Sequence, residues 1–154
     1  MKILQNKFRF FLPVIFVVSM SGCDYLATIP PPYVITNPVF ETAGRAYVFT
    51  YAGLSFDFLN NSSKTVNQIT VSFMLFDAKT QSNPFMGSNV FEISRRDYIL
   101  PNETREILIS LDQYIYTAPS DPYLVDYFYI SEITYTDGSV WQDKYGTYNT
   151  GTIK

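Results

Sequence analysis

Residues 130–145 read ISEITYTDGSVWQDKY, and this stretch decides the fold class. β-branched and aromatic residues stand on both sides of Asp137-Gly138, which predicts two antiparallel strands joined by a tight turn. Two registers compete. A two-residue Asp-Gly turn pairs Thr134 with Trp141. A three-residue Thr136-Asp137-Gly138 loop, with Gly138 left-handed, pairs Ile133 with Trp141. A slip of one residue sends every side chain to the other face. The second register sets Trp141 beside Ile133 and Tyr135 and is the preferred one.

The same period of two runs outward from this hairpin. Leu54, Phe56 and Phe58 alternate with Ser55 and Asp57, and Asn60-Asn61-Ser62-Ser63-Lys64 then supplies turn formers. Ile69, Val71, Phe73 and Leu75 alternate with Thr70, Ser72 and Met74. Val90, Phe91 and Ile93 suggest a short strand after a polar loop over residues 77–88. Ile107, Ile109 and Leu111 alternate with Glu106, Leu108 and Ser110, and residues 127–136 are again β-branched and aromatic. Residues 46–51 read as the first strand. No window of helical length shows a helical period. About seven strands with turn signals between them predict an all-β chain. The pattern resembles an antiparallel immunoglobulin-like β-sandwich without its cysteine pair.

Composition narrows the function. The chain has 154 residues, 11 basic and 14 acidic side chains, one cysteine and no histidine. Without histidine there is no His-based triad, imidazole base or His-ligated zinc. One cysteine allows neither an internal disulfide nor a thiolate metal cluster. Phosphate-cradling glycine loops and the Ser-x-x-Lys pattern are absent from the sequence. Carboxylates at Asp57, Asp77, Asp97, Asp121, Asp126, Glu132, Asp137 and Asp143 are the remaining candidates for acid–base work. Most adjoin turn residues or alternate with apolar ones, so they read as turns and solvated faces. The expectation is no enzyme, no cofactor and no metal.

The first 22 residues read as a secretory signal. Lys2, Lys7 and Arg9 precede the apolar run FFLPVIFVVSM at residues 10–20. That run is too short for a membrane-spanning helix, which needs ~20 residues, and suits the apolar region of a signal peptide. It leads into Met20-Ser21-Gly22-Cys23. This stretch resembles the lipobox of bacterial lipoproteins, with Met20 where that family more often has leucine. The resemblance implies that Ser21 and Gly22 permit processing and that the Cys23 thiol takes a diacylglycerol, becoming the new amino terminus. The hairpin stretch is similar to the strand–Asp-Gly–strand endings of some uncharacterised extracytoplasmic bacterial lipoproteins, which bring no known activity.

The expected organisation is a signal peptide at 1–22, a lipidated cysteine and Pro-rich tether at 23–38, and a β-sandwich at 39–154. Pro30-Pro31-Pro32 favours an extended polyproline stalk, although part of this stretch is also open to packing as an edge segment. Removing Lys2, Lys7 and Arg9 leaves eight basic against fourteen acidic side chains, a formal charge of −6. That charge disfavours nucleic acid. The expected location is the bacterial cell envelope, lipid-anchored on the extracytoplasmic side, with either membrane open. The expected partners are the membrane, through the lipid on Cys23, and an envelope protein or glycan. Of the 13 tyrosines, Tyr127, Tyr129 and Tyr135 share a parity; they read first as filling and edging the β core, and alternatively as a contact face for a protein, solute or glycan, unless a bulge intervenes.

Overall fold

The computed structural model describes residues 29–42 and 44–151. The expected signal segment, Ser21, Gly22, Cys23 and the start of the expected tether lie outside the described residues. The chain divides after Pro30, and the unit Pro31–Lys154 carries seven strands. These are β1 (Tyr33–Glu41), β2 (Gly53–Asn60), β3 (Val66–Phe76), β4 (Val90–Ile99), β5 (Thr104–Ser110), β6 (Leu124–Tyr135) and β7 (Val140–Gln142). Among the described residues there is no helix.

All pairings are antiparallel, and they make a two-sheet sandwich. One sheet runs β1-β2-β5 and the other β4-β3-β6-β7. In constant-type immunoglobulin domains the fourth strand joins the sheet of the first. Here β4 instead pairs with β3, which gives the three-and-four division.

The alternation of each strand fills the space between the sheets. Leu54, Phe56 and Phe58 of β2 face Ile69, Val71, Phe73 and Leu75 of β3, and all are buried. Phe128 of β6 sits edge-on to Phe56, with ring centroids 5.0 Å apart, and 6.4 Å from Phe73. Fully burying one such ring contributes roughly 1.5–3 kcal/mol.

The sides of the sandwich are closed differently. On the β4–β5 side, Arg95 and Asp97 point from β4 toward β5. Arg95 donates to the Leu108 carbonyl, and Arg105 Nη1 of β5 meets Asp97 Oδ1 at 2.9 Å. Charged side chains at an edge also discourage pairing with a foreign strand. On the β1–β7 side the closure is aromatic. Tyr33 stacks on Phe58 at 5.8 Å and meets the edge of Trp141 at 5.5 Å. Its hydroxyl accepts the Ile130 N–H, 3.3 Å away, and burial pushes this phenol well above its ordinary pKa.

Tyr33 therefore moves the domain boundary. The sandwich begins inside the stretch expected to be tether, and residues 33–38 belong to β1. Pro38 lacks an N–H and so argues against a strand. It is tolerated here because β1 is an edge strand whose register shifts between Thr36 and Val39, with Asn37 left-handed at φ 53°. Residues 46–51, expected as the first strand, form a loop between β1 and β2. β4 is longer than its apolar residues suggested, because its charged second half pairs with β3 as well.

The hairpin adopts the preferred register. Ile133 pairs with Trp141, Tyr135 N–H donates to Ser139 O at 2.9 Å, and Gly138 has φ +83°. Lys64 Nζ lies 2.8 Å from Asp137 Oδ2 and ties this loop to the β2–β3 loop. Replacing Phe128 with Ala should lower the unfolding free energy by about 3–5 kcal/mol. Gly138→Ala should cost about 1 kcal/mol, because alanine resists the left-handed conformation. Val140→Ala, at an exposed position, should change it by less than about 0.5 kcal/mol. Urea unfolding followed by tryptophan fluorescence checks this order.

Candidate functional site

The strand directions sort the loops onto two ends. Pro32 O accepts the Asn61 N–H at 2.9 Å, so the chain enters at the end that carries the β2–β3, β4–β5 and β6–β7 loops. The β1–β2, β3–β4 and β5–β6 loops lie at the opposite end. At ~3.3 Å per residue, the twelve residues of β6 put about 40 Å between the two ends.

Side chains tie the three loops of this far end together. Asp112, just past β5, accepts the Thr50 N–H through Oδ2 at 2.6 Å and the Tyr51 N–H through Oδ1 at 2.8 Å. The Leu111 N–H donates to Ala52 O at 3.0 Å. Phe85 of the β3–β4 loop packs on Phe91 at 5.3 Å and on Tyr123 at 5.8 Å, and so covers the end of the core. Tyr114 meets Phe91 at 4.9 Å, and Lys79 Nζ pairs with Asp121 at 2.6 Å.

The β1–β2 loop is held in a defined shape. Arg45 reaches Glu41 at 2.8 Å and Glu106 at 2.7 Å, and these bonds raise its pKa. The Phe49 ring lies against Gly53, where a Cβ would meet it at 2.3 Å, so only glycine admits this packing. Tyr47 sits at the tip with φ 67° and a fully exposed side chain. A bulky residue in the left-handed region is strained, and it persists only where its surroundings over-determine it. Beside it lies an open depression of about 460 Å³, lined by Arg45, Tyr47, Thr50 and Asp112 among others.

Burial pushes the Asp112 carboxyl up, but the amides of Tyr51, Thr50 and Ala52 outweigh it and hold its pKa below the usual range. Amides of Thr80 and Lys79 likewise lower Asp77, and Lys79 lowers Asp121. All three stay charged at neutral pH. Tyr47 and Met86 are fully exposed, Tyr116 is largely so, and Val48, Tyr51 and Tyr114 are partly exposed. This end is an aromatic surface with an acidic rim.

The alternative, a tyrosine contact face, does not form. The β3–β6 pairing shifts register three times, and two of these shifts put an extra residue in β6, so its alternation is broken. Ser131 is extra between the pairs Thr70–Glu132 and Val71–Ile130. A further extra residue falls near Tyr127, which has φ 51°. Tyr135 consequently points into the core, while Tyr129 lies outside it, beneath Tyr127, with their rings 5.7 Å apart. Tyr129 and Tyr135 are both buried. The Tyr127 hydroxyl is engaged by Tyr145 O at 2.9 Å.

The candidate carboxylates are distributed over the molecule with local partners. Asp57 accepts from Asn37, Asp97 pairs with Arg105, Asp126 accepts the Tyr127 N–H, and Glu132 accepts from Gln142. Asp143 is buried where the chain leaves β7 and accepts the Tyr148 N–H at 3.0 Å. Among the described residues, no group of three or more carboxylates or thiols has a metal-holding arrangement.

Tyr47 was not legible as a surface residue, whereas Met86 falls in the stretch already read as a loop. Residues 46–51 have the aromatic and β-branched composition of a strand, and the contrary signals are Gly44 and Gly53 on either side. Replacing Asp112 with Ala should speed amide exchange at Thr50 and Tyr51 and leave β3 and β6 protected. The lowered Asp112 pKa stabilises the loop above the unfolded carboxylate value of ~3.9. That contribution falls away as pH drops through the folded value. Exchange at these two amides, corrected for its intrinsic pH dependence, should therefore rise below about pH 4.

No protein-family model matches the chain, and no curated protein matches it. Among solved structures it is similar to a hypothetical protein of Peptoclostridium difficile 630, with a TM-score of 0.54 and 10% identity. The match covers 75% of this chain and 88% of that one. At this identity the likeness concerns the fold alone.

Proposed function

We propose that this protein is a non-catalytic bacterial lipoprotein, anchored through Cys23 on the extracytoplasmic side and presenting its β-sandwich for protein contact. The observation that carries the reading is the succession of a basic start, a short apolar run and Ser21-Gly22-Cys23, which contains the chain's one cysteine. Each buried acyl CH₂ contributes about 0.8 kcal/mol, and two or more chains anchor a protein stably where one does not.

The position of β1 agrees with such an anchor. Tyr33 follows Cys23 by ten residues, which reach at most about 35 Å. The tether would lead into the end of the sandwich that carries the β2–β3, β4–β5 and β6–β7 loops. The local partners of the candidate carboxylates favour a structural role for them over acid–base chemistry.

Changing Cys23 to Ser tests the anchor. The wild-type protein should fractionate with membranes at the mass of a processed, acylated chain. The variant should lose acylation and cleavage before residue 23. A Cys23→Ser protein with the same mass and membrane partition as the wild type would overturn the reading.

A further inference from the structure

The far loop end combines three features that point to one kind of partner. Its exposed side chains include a set of aromatic and apolar ones, namely Tyr47, Val48, Tyr51, Met86, Tyr114 and Tyr116. Tyrosine gives large contact area for little conformational entropy, and an exposed methionine adapts to irregular surfaces. The β1–β2 loop is also ordered in advance by Arg45 and Asp112, which lowers the entropic cost of binding.

Charge selects among partners. Glu41, Asp77, Glu106, Asp112 and Asp121 surround this end, against Arg45 and Lys79. Five carboxylates and two cations leave an excess of negative charge. A partner of like charge would be repelled, and a cationic one attracted. The bonding of the polar groups argues against a sugar. The Arg45 guanidinium is held by Glu41 and Glu106, and both Asp112 oxygens accept backbone amides. Among the described residues, the charged groups beside Tyr47 are thus already engaged by the protein itself.

We propose that the end formed by the β1–β2, β3–β4 and β5–β6 loops is a docking surface for a positively charged protein segment bearing apolar side chains, with Tyr47 as its central anchor. The inference deepens the reading of the protein as a protein-contacting lipoprotein and rests on it.

Site-specific photo-crosslinking in the full-length chain tests it. Benzoylphenylalanine is placed at Tyr47, at Tyr116, or at exposed Val140 on the opposite end, in cells of the native host. Adducts should form from positions 47 and 116 but not from 140, and should map to a protein segment of net positive charge. Raising salt from about 0.05 to 0.5 M in isolated membranes should lower the yield severalfold, because it screens exposed charges. In the chain carrying the probe at 116, Tyr47→Gly should cut the yield roughly tenfold, as loss of an aromatic anchor does. The same change should leave the urea midpoint equal or higher, since glycine accepts the positive φ.

Adducts to lipid or glycan, to a neutral or acidic segment, or equally from position 140 would each overturn the proposal. So would the absence of any adduct, a yield indifferent to salt, or one indifferent to Tyr47→Gly. The Cys23→Ser fractionation reads the anchor alone, so the anchor and the docking surface can fail separately.

Discussion

Strand β6 pairs with β3 along nearly its whole length, and two bulges in that pairing decide which of its side chains enter the core. Val125 faces inward, then Phe128 and Ile130, then Ile133 and Tyr135. A strict alternation would keep either the odd or the even residues on that side. Each extra residue, one near Tyr127 and one at Ser131, switches the inward set. The switches let Phe128 reach Phe56 and Phe73 at the centre while Ile133 still meets Trp141 at the hairpin. They also remove Tyr129 from the core and return Tyr135 to it.

The edges follow from this central strand. β7 pairs only with Glu132, Ile133 and Thr134, so it leaves much of β6 uncovered. The tail takes over, with the Asp143 N–H on Ser131 O at 2.9 Å and the Thr150 N–H on Phe128 O at 2.8 Å. Tyr33 receives the Ile130 N–H and completes the same side from the other sheet. β1 is thus held by its partner β2 and by an aromatic clasp across the sandwich. The opposite side uses charge instead, through Arg95, Asp97 and Arg105. Each closure satisfies polar groups beside the core, and among the described residues no buried side-chain nitrogen or oxygen lacks a partner.

The two loop ends differ in composition for a related reason. The entry end is built on short turns around Asn60, Asn102 and Gly138. The Asn60 side chain there is fully buried and hydrogen-bonds Lys64 O and Ile99 O. The far end carries longer loops, which must cover the open end of an aromatic core. Phe85, Tyr114 and Tyr123 do this from two loops, and their neighbours Met86 and Tyr116 are left in solvent. An aromatic-rich core thus comes with an aromatic-rich cap, whose surplus is the exposed surface of the protein.

Local chemistry settled much of this in advance. The alternation of Leu54, Phe56 and Phe58 and of Ile69, Val71 and Phe73 set the inward faces of β2 and β3, because a pleated strand can only send neighbours to opposite sides. Asp137-Gly138 set the hairpin, because glycine takes φ +83° without strain. The candidate site was far less legible. Residues 46–51 have the aromatic and β-branched composition of a strand, yet the segment bends into a loop whose amides Asp112, some sixty residues away, captures. Tyr33 and Pro38 read as tether, yet an aromatic pocket formed by Phe58 and Trp141 draws them into a sheet. The sequence by itself determined what depends on neighbouring residues: strand period and turn chemistry. Only the tertiary structure decided what depends on distant partners: where the sandwich begins, where β6 bulges, and which tyrosines face solvent.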